Sequence, residues 1–257
     1  VIWLPIAAGL LAAAVQATAQ DMPPGSRRSG YEQMGRDTRA MQDEDNANPA
    51  TLWVLDGESA WKRKSGAANR ACADCHGDAA ASMKGVAARH PAPDAKTGKL
   101  INLEQRINVC RVEQQQAKPL AYESRELLAL TAYVGRQSRG LPIEIAVTPA
   151  TQPALDAGRA LFNRKVGQID MSCAQCHDQN WGAHLAGNVI PQAHPTGYPI
   201  YRLEWQGLGS LQRRLRNCMS GMRAEPYEYG SKEYVELEYY LMWRARGMKV
   251  ETPGVRP

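Results

Sequence analysis

The sequence has no lysine block and no alternation of aromatic with basic residues, which excludes the usual footprint of a nucleic-acid binder. Strong charge of either sign is also missing: 31 lysines and arginines stand against 26 acids, a net +5. So mild an excess suits a surface that attracts anions, either small substrates or an acidic partner protein. Long apolar runs are scarce. The opening stretch VIWLPIAAGLLAAAVQATAQ is apolar as far as Val15, short of the ~20 residues that a spanning helix needs. Ala17-Thr18-Ala19 offers a small-x-small cleavage pattern, so residues 1–19 read as a secretory signal peptide, although no Lys, Arg or Met precedes the apolar run. No stable membrane span is expected after cleavage. With 22% charged and 44% hydrophobic residues the remainder is globular rather than disordered, and 257 residues accommodate two domains.

Six cysteines in an exported chain would ordinarily mean three disulfides. Their spacing argues otherwise. Cys72-Ala-Asp-Cys75-His76 and Cys173-Ala-Gln-Cys176-His177 are both C-x-x-C-H, the attachment signature of c-type haem. Two thiols three apart reach the two vinyl groups on one side of a porphyrin, and the adjacent histidine brings its imidazole under the iron. A zinc site would want paired CxxC motifs without an obligatory following histidine. Two covalent haems are therefore expected, held by Cys72, Cys75, Cys173 and Cys176, with His76 and His177 as iron ligands.

The chain also repeats itself. Gly57, Trp61, Arg63, Lys64 and Gly66 fall on Gly158, Phe162, Arg164, Lys165 and Gly167 at an offset of 101, which also carries Cys72 onto Cys173 and His76 onto His177. Further on, Ser124, Glu126, Leu130, Tyr133, Arg139 and Gly140 match Ser231, Glu233, Leu237, Tyr240, Arg246 and Gly247 at an offset of 107. Between these blocks Arg106 and Cys110 match Arg214 and Cys218. The expected fold is mainly α, two tandem cytochrome c-like haem domains related by internal duplication. The boundaries read as an irregular arm over 20–48, domain 1 over 49–145 and domain 2 over 146–257. Each domain should contain a helix before the haem motif, from about Leu55 and about Leu155, a basic helix carrying Arg-x-x-x-Cys, and a final helix. Leu127, Leu130 and Val134, matched by Tyr234, Leu237 and Leu241, form the buried stripe of the final helices. Gly140 and Gly247 stand where left-handed caps belong. Residues 141–153, with three prolines, read as an extended linker.

The second iron ligand is less direct. In domain 1, Met83 follows the haem histidine too closely to swing round the ring, and His90 is a possible ligand. Domain 2 offers Met219, Met222, His184 and His194. Only Cys110 and Cys218 occupy equivalent places in both copies, so they are read as distal thiolate ligands. Arg106 and Arg214 lie one helical turn before them, where a guanidinium favours the thiolate. A solvated helix face or a pair with a haem propionate would explain Arg106 equally simply, and Arg214, in its richer cluster of arginines, less well. An anionic sulfur ligand holds the potential down, which suits a site whose sulfur takes part in chemistry better than a simple shuttle.

Taken together, the two CxxCH motifs, each followed by R-x-x-x-C, and the segments Arg213-Arg214-Leu215-Arg216-Asn217-Cys218 and Ile107-Asn108-Val109-Cys110-Arg111 resemble the SoxA family, the dihaem subunits of SoxAX cytochromes. The resemblance spans about residues 45–250. It implies an L-cysteine S-thiosulfotransferase working in the periplasm, which joins thiosulfate oxidatively to a cysteine of a SoxYZ-type carrier. Electrons would pass to a monohaem SoxX-type subunit and on to a soluble cytochrome c acceptor. Cys218 would correspond to the ligand that family members carry as a persulfide and Arg214 to the arginine beside it, making these two the catalytic pair. The competing readings are a plain dihaem electron carrier, a dihaem peroxidase, which needs an open iron face with an acid–base group, and a structural haem subunit.

Overall fold

The computed structural model describes residues 22–257, so the expected signal peptide lies outside the described residues. In chain order the helices are α1 (Arg36–Asp43), α2 (Thr51–Lys62), α3 (Cys72–His76), α4 (Ala79–Ser82), α5 (Leu103–Gln115), α6 (Arg125–Arg136), α7 (Gln152–Asn163), α8 (Leu211–Gly221) and α9 (Lys232–Arg244). Strands are short: β1 (Ala92–Pro93) pairs with β2 (Leu100–Ile101), and β3 (His184–Leu185) with β4 (Asn188–Val189). β5 (Ile200–Arg202) lies between antiparallel β6 (Gly207–Gly209) and parallel β7 (Gly254–Arg256). This is the mainly helical, duplicated architecture expected from the sequence.

Capping chemistry explains where the main helices begin. Asn102, Ser124, Ser210 and Ser231 each accept a hydrogen bond from the backbone N–H three residues on, at the starts of α5, α6, α8 and α9. The expected stripe residues Leu127, Leu130, Val134, Tyr234, Leu237 and Leu241 are all buried. They let α2 pack across α6, and α7 across α9. Both crossings are closed by glycine. A Cβ on Gly57 would lie 2.1 Å from the Ala129 carbonyl oxygen, and one on Gly158 would lie 2.1 Å from that of Glu236. No side chain fits there, which is why the repeat carries glycine at this position in both copies.

The two copies face each other across a pseudo-twofold axis. Pro142 and Lys249, themselves counterparts, meet in a β-bridge on that axis. Around it the bonds come in exchanged pairs: Gly140 N donates to Val250 O at 2.8 Å, and Gly247 N to Ile143 O at 2.9 Å. Both glycines have positive φ, 81° and 82°, as a left-handed cap requires. The counterpart rings Tyr122 and Tyr229 stack on one another, 5.6 Å apart and 13° from parallel. Nearby, Gln105 Nε2 donates to Gly230 O at 3.0 Å while its counterpart Arg213 approaches Glu123, the counterpart of Gly230, at 3.9 Å. Thus the linker expected to be extended begins as part of the interface.

The segment before α2 is more ordered than the irregular arm expected. It contains two 3-10 turns and α1, and it runs onto the second copy. Arg28 N donates to Gln192 Oε1 at 2.7 Å, and Asn48 Nδ2 to Pro253 O at 3.1 Å. Gln42 accepts from Val255 N at 2.9 Å and from Arg256 at 2.5 Å, while Ser29 bonds to Glu251. Polar side chains that looked like loop composition are used to clasp the C-terminal tail.

Candidate functional site

Each copy encloses a cavity beside its CxxCH segment. In the first, of about 250 Å³, Cys72, Cys75 and His76 face Cys110, Arg106 and His90, with Trp61, Val86, Ile107, Leu130 and Val134 supplying apolar walls. Trp61 Nε1 donates to Gly77 O at 3.0 Å, tying α2 to the end of the haem motif. Burial pushes the Cys110 thiol above its ordinary value, more than Arg106 lowers it. Arg106 is also engaged in an ion pair, 2.9 Å from Asp94, which is 7% exposed and anchored by Thr97.

The second cavity, of about 170 Å³, brings His177, Cys218, Arg214, Tyr198, Arg202 and His194 together. Pro191 O and His177 Nδ1 are 2.6 Å apart, a hydrogen bond in which Nδ1 donates and which fixes the orientation of the ring. Cys218 is half-buried, and its free surface opens onto the cavity. Burial acts to raise its thiol, but the hydrogen bond with His177 and the charges of Arg214, His177 and Arg202 outweigh it, holding the thiol below its ordinary value. Unlike Arg106, Arg214 has no carboxylate within ion-pair distance among the described residues, and the Cys218 and Tyr198 side chains favour its charged form against burial. Arg202 is 8% exposed; its Nε lies 3.1 Å from Glu204 but without hydrogen-bond geometry, so this donor is left unsatisfied.

The other candidates divide cleanly. Met219 and Met222 pack against Tyr234 in a separate cluster, with the Tyr234 hydroxyl 3.4 Å from the Met219 sulfur, and neither lines the second cavity. His184 sits exposed on the β3–β4 hairpin. Met83 and His90 both reach the first cavity. His194 lines the second cavity, buried, with both ring nitrogens unpartnered among the described residues. Burial, then Arg244, Arg27 and His177, push its pKa down to about 3, so it is neutral.

These features fit a haem in each cavity. In the first cavity apolar walls and a cysteine pair, and in the second an oriented imidazole beside a thiol and an orphaned buried histidine, are what a covalently held porphyrin would complete; Cys173 and Cys176 adjoin His177 in the chain but do not line the second cavity. Sequence reasoning missed Arg202, Tyr198 and the cover of the second cavity. Gly30, Gln33 and Met34 of the arm and Arg256 of the tail line it, with Arg256 held 2.6 Å from Glu251. No local motif marks them, because they reach the site through β5, β7 and the arm.

Comparison with known proteins agrees with this geometry. The family model described as SoxA/TsdA, cytochrome c domain matches twice, over residues 56–143 and 157–250. The chain is 37% identical over 229 residues to the L-cysteine S-thiosulfotransferase subunit SoxA of Pseudaminobacter salicylatoxidans, covering 89% of this chain and 80% of that one. It is 34% identical to the SoxA of Rhodovulum sulfidophilum, with the same coverage. Among solved structures, SoxXA from P. pantotrophus superposes with a TM-score of 0.87 at 31% identity, over 90% of this chain and 87% of that one. Two matched cytochrome c regions, a cavity beside each CxxCH segment, and extensive identity give one conclusion: the chain belongs to the SoxA family of dihaem cytochromes c.

Proposed function

We propose that this protein is an L-cysteine S-thiosulfotransferase subunit of the periplasm, with its chemistry at Cys218. Thiosulfate is joined to the cysteine of a SoxYZ-type carrier. The carrier thiol loses its proton, one sulfur–sulfur bond forms, and two electrons leave. Bound haem c supplies the one-electron acceptors that carry those electrons to a monohaem SoxX-type subunit and a soluble cytochrome c. In domain 2, read as residues 146–257, Cys173 and Cys176 would hold the haem and His177 and Cys218 would ligate its iron. Domain 1, residues 49–145, would use Cys72, Cys75, His76 and Cys110 in the same way.

The chain's own groups account for the rest. Arg214, with Arg202 behind it, gives a small dianion charge-assisted hydrogen bonds and sets its sulfur against Cys218. The Pro191 carbonyl fixes the His177 ring. The arm and tail cover the cavity. The observation that carries the reading is the half-buried Arg214 beside Cys218, with no carboxylate within ion-pair distance among the described residues, whereas its counterpart Arg106 is paired with Asp94. The sulfur site therefore belongs to the second copy. That SoxA relatives carry the transferase name, and that no helix among the described residues is long and apolar enough to cross a membrane, are both consistent with it.

The test is the intact mass of a SoxYZ-type carrier after incubation with the haem-loaded protein, its monohaem partner, thiosulfate and an electron acceptor. A thiosulfonate adduct that requires both thiosulfate and the acceptor is expected; no adduct from fully loaded protein returns the chain to electron carrier. In the same assay Arg214→Ala should slow adduct formation on the order of 100-fold. Arg106→Ala should change it less than about twofold, because its charge is already spent on Asp94. Equal losses from both variants would remove the assignment to domain 2.

A further inference from the structure

Between the two haem cavities lies a third, of about 70 Å³. It shares His90 and Leu103 with the first cavity, and Pro195, Tyr198 and Leu211 with the second. Leu103 and Leu211 are counterparts, and so are His90 and Tyr198, which precede the equivalent hairpins β1–β2 and β5–β6. The cavity therefore straddles the pseudo-twofold axis. Its acids do not obey that symmetry. Glu104 of α5 has Gln212 of α8 as counterpart, and Glu238 of α9 has Thr131 of α6. Both glutamates line the cavity, 9% and 6% exposed.

Among the described residues neither acid has a cation within ion-pair distance. The Glu104 carboxyl accepts no hydrogen bond from another described residue, although it is nine-tenths buried. Glu238 accepts one from Asn102 Nδ2 at 3.3 Å. Gln212, fully buried, faces Glu238, but its Nε2 falls short of hydrogen-bond geometry. The titratable and charged groups around the pair are Glu123, Tyr122, His90 and Tyr198, and Arg213 is directed to Glu123. Burial, reinforced by Glu104, pushes Glu238 well above the carboxylate range. Burial, with a smaller contribution from Glu123, moves Glu104 up to about 7. Two such carboxyls in one dry site cannot both ionise, and the cavity has room for water to deliver a proton.

We propose that Glu104 and Glu238 form a proton-binding site linked to electron arrival at the two haems. When a ferric haem takes one electron, the pair takes one proton from solvent; reoxidation releases both. In turnover the electron comes from the sulfur substrate, and in a titration from an added reductant. An extra negative charge beside a buried carboxylate raises its affinity for a proton, because the low-dielectric interior screens little. By linkage the midpoint potential falls as pH rises above about 7, where the oxidised pair loses its first proton, from Glu104, and is flat well below it.

The experiment is spectropotentiometric titration of the haem-loaded protein from about pH 6 to 9. Reduced-minus-oxidised infrared difference spectra are recorded in water and in D₂O. Wild type is expected to show the falling potential and a protonated-carboxyl C=O band that appears on reduction and shifts in D₂O. The Glu104→Gln/Glu238→Gln double variant should retain both haem spectra and lose the band and most of the slope. A double variant whose pH profile superimposes on wild type overturns the proposal. So does wild type without a redox-driven carboxyl band, which decides the matter even if the double variant fails to load haem. The single variant E104Q, which installs the residue found at the counterpart Gln212, should lose the slope near pH 7.

Discussion

Cys218→Ala is expected to keep both haems attached and to lower adduct formation on the carrier by about 1000-fold or more. In the proposed assignment attachment would depend on Cys72, Cys75, Cys173 and Cys176, none of which the substitution touches. What disappears is the sulfur that faces His177 and Arg214 across the second cavity. Cys218→Ser is the sharper variant. A hydroxyl retains roughly the size and the hydrogen-bonding capacity, but it lacks the ionisable, polarisable sulfur against which thiosulfate is set. Serine should therefore be as inactive as alanine by intact-mass assay, while haem content by pyridine haemochrome stays at two per chain. A serine variant with wild-type rates would reduce Cys218 to an iron ligand and favour the electron-carrier reading.

The second large effect is on stability. Gly158→Ala places a methyl group 2.1 Å from the Glu236 carbonyl oxygen and 2.8 Å from Tyr240 Cβ. Neither neighbour is the end of a flexible side chain, so α7 and α9 must move apart and the buried Phe162–Tyr240 contact opens with them. Overpacking of this kind costs about 3 kcal/mol, equivalent to a fall of roughly 6–12 °C in Tm for a chain of this size. Gly57→Ala should behave alike, through Ala129 O. The control is Gly221→Ala at the end of α8, where a Cβ meets nothing within 4 Å; its Tm should stay within about 2 °C of wild type. Thermal melts followed at the Soret band and by near-ultraviolet circular dichroism separate the three. If Gly158→Ala melted with the control, the tight crossing would not hold the second copy together.

Much of this architecture is legible in the chain itself, because its information is local or repeated. The haem motifs are contiguous. The repeat reveals that Gly57 and Gly158, or Ser124 and Ser231, do the same work, and the capping serines then place the helices. The site is legible only along α8, where Arg214 and Cys218 share a helix face. Arg202 and Tyr198 come from the strand-and-turn region before α8, in a stretch with no signature of its own. Arg106 and Arg214 look alike in sequence; Asp94, on the β1–β2 hairpin, separates them by pairing with only one. Likewise Met219 and Met222 are plausible ligands on paper, and packing on Tyr234 removes them. The acids at Glu104 and Glu238 give no signal at all, since their meaning arises when α5 and α9 meet.

The exchanged contacts at the centre of the molecule bear on its ancestry. Where Gly140 bonds to Val250 and Gly247 to Ile143, each copy offers the other the patch it receives. That is the self-complementary interface of a symmetric homodimer. A single-module ancestor could have made the same contacts with a second copy of itself before a linker joined them. Fusion then freed the two halves to diverge. One half kept its guanidinium neutralised by Asp94, while the other kept Arg214 without such a partner, under a cover made by the arm and the C-terminal tail.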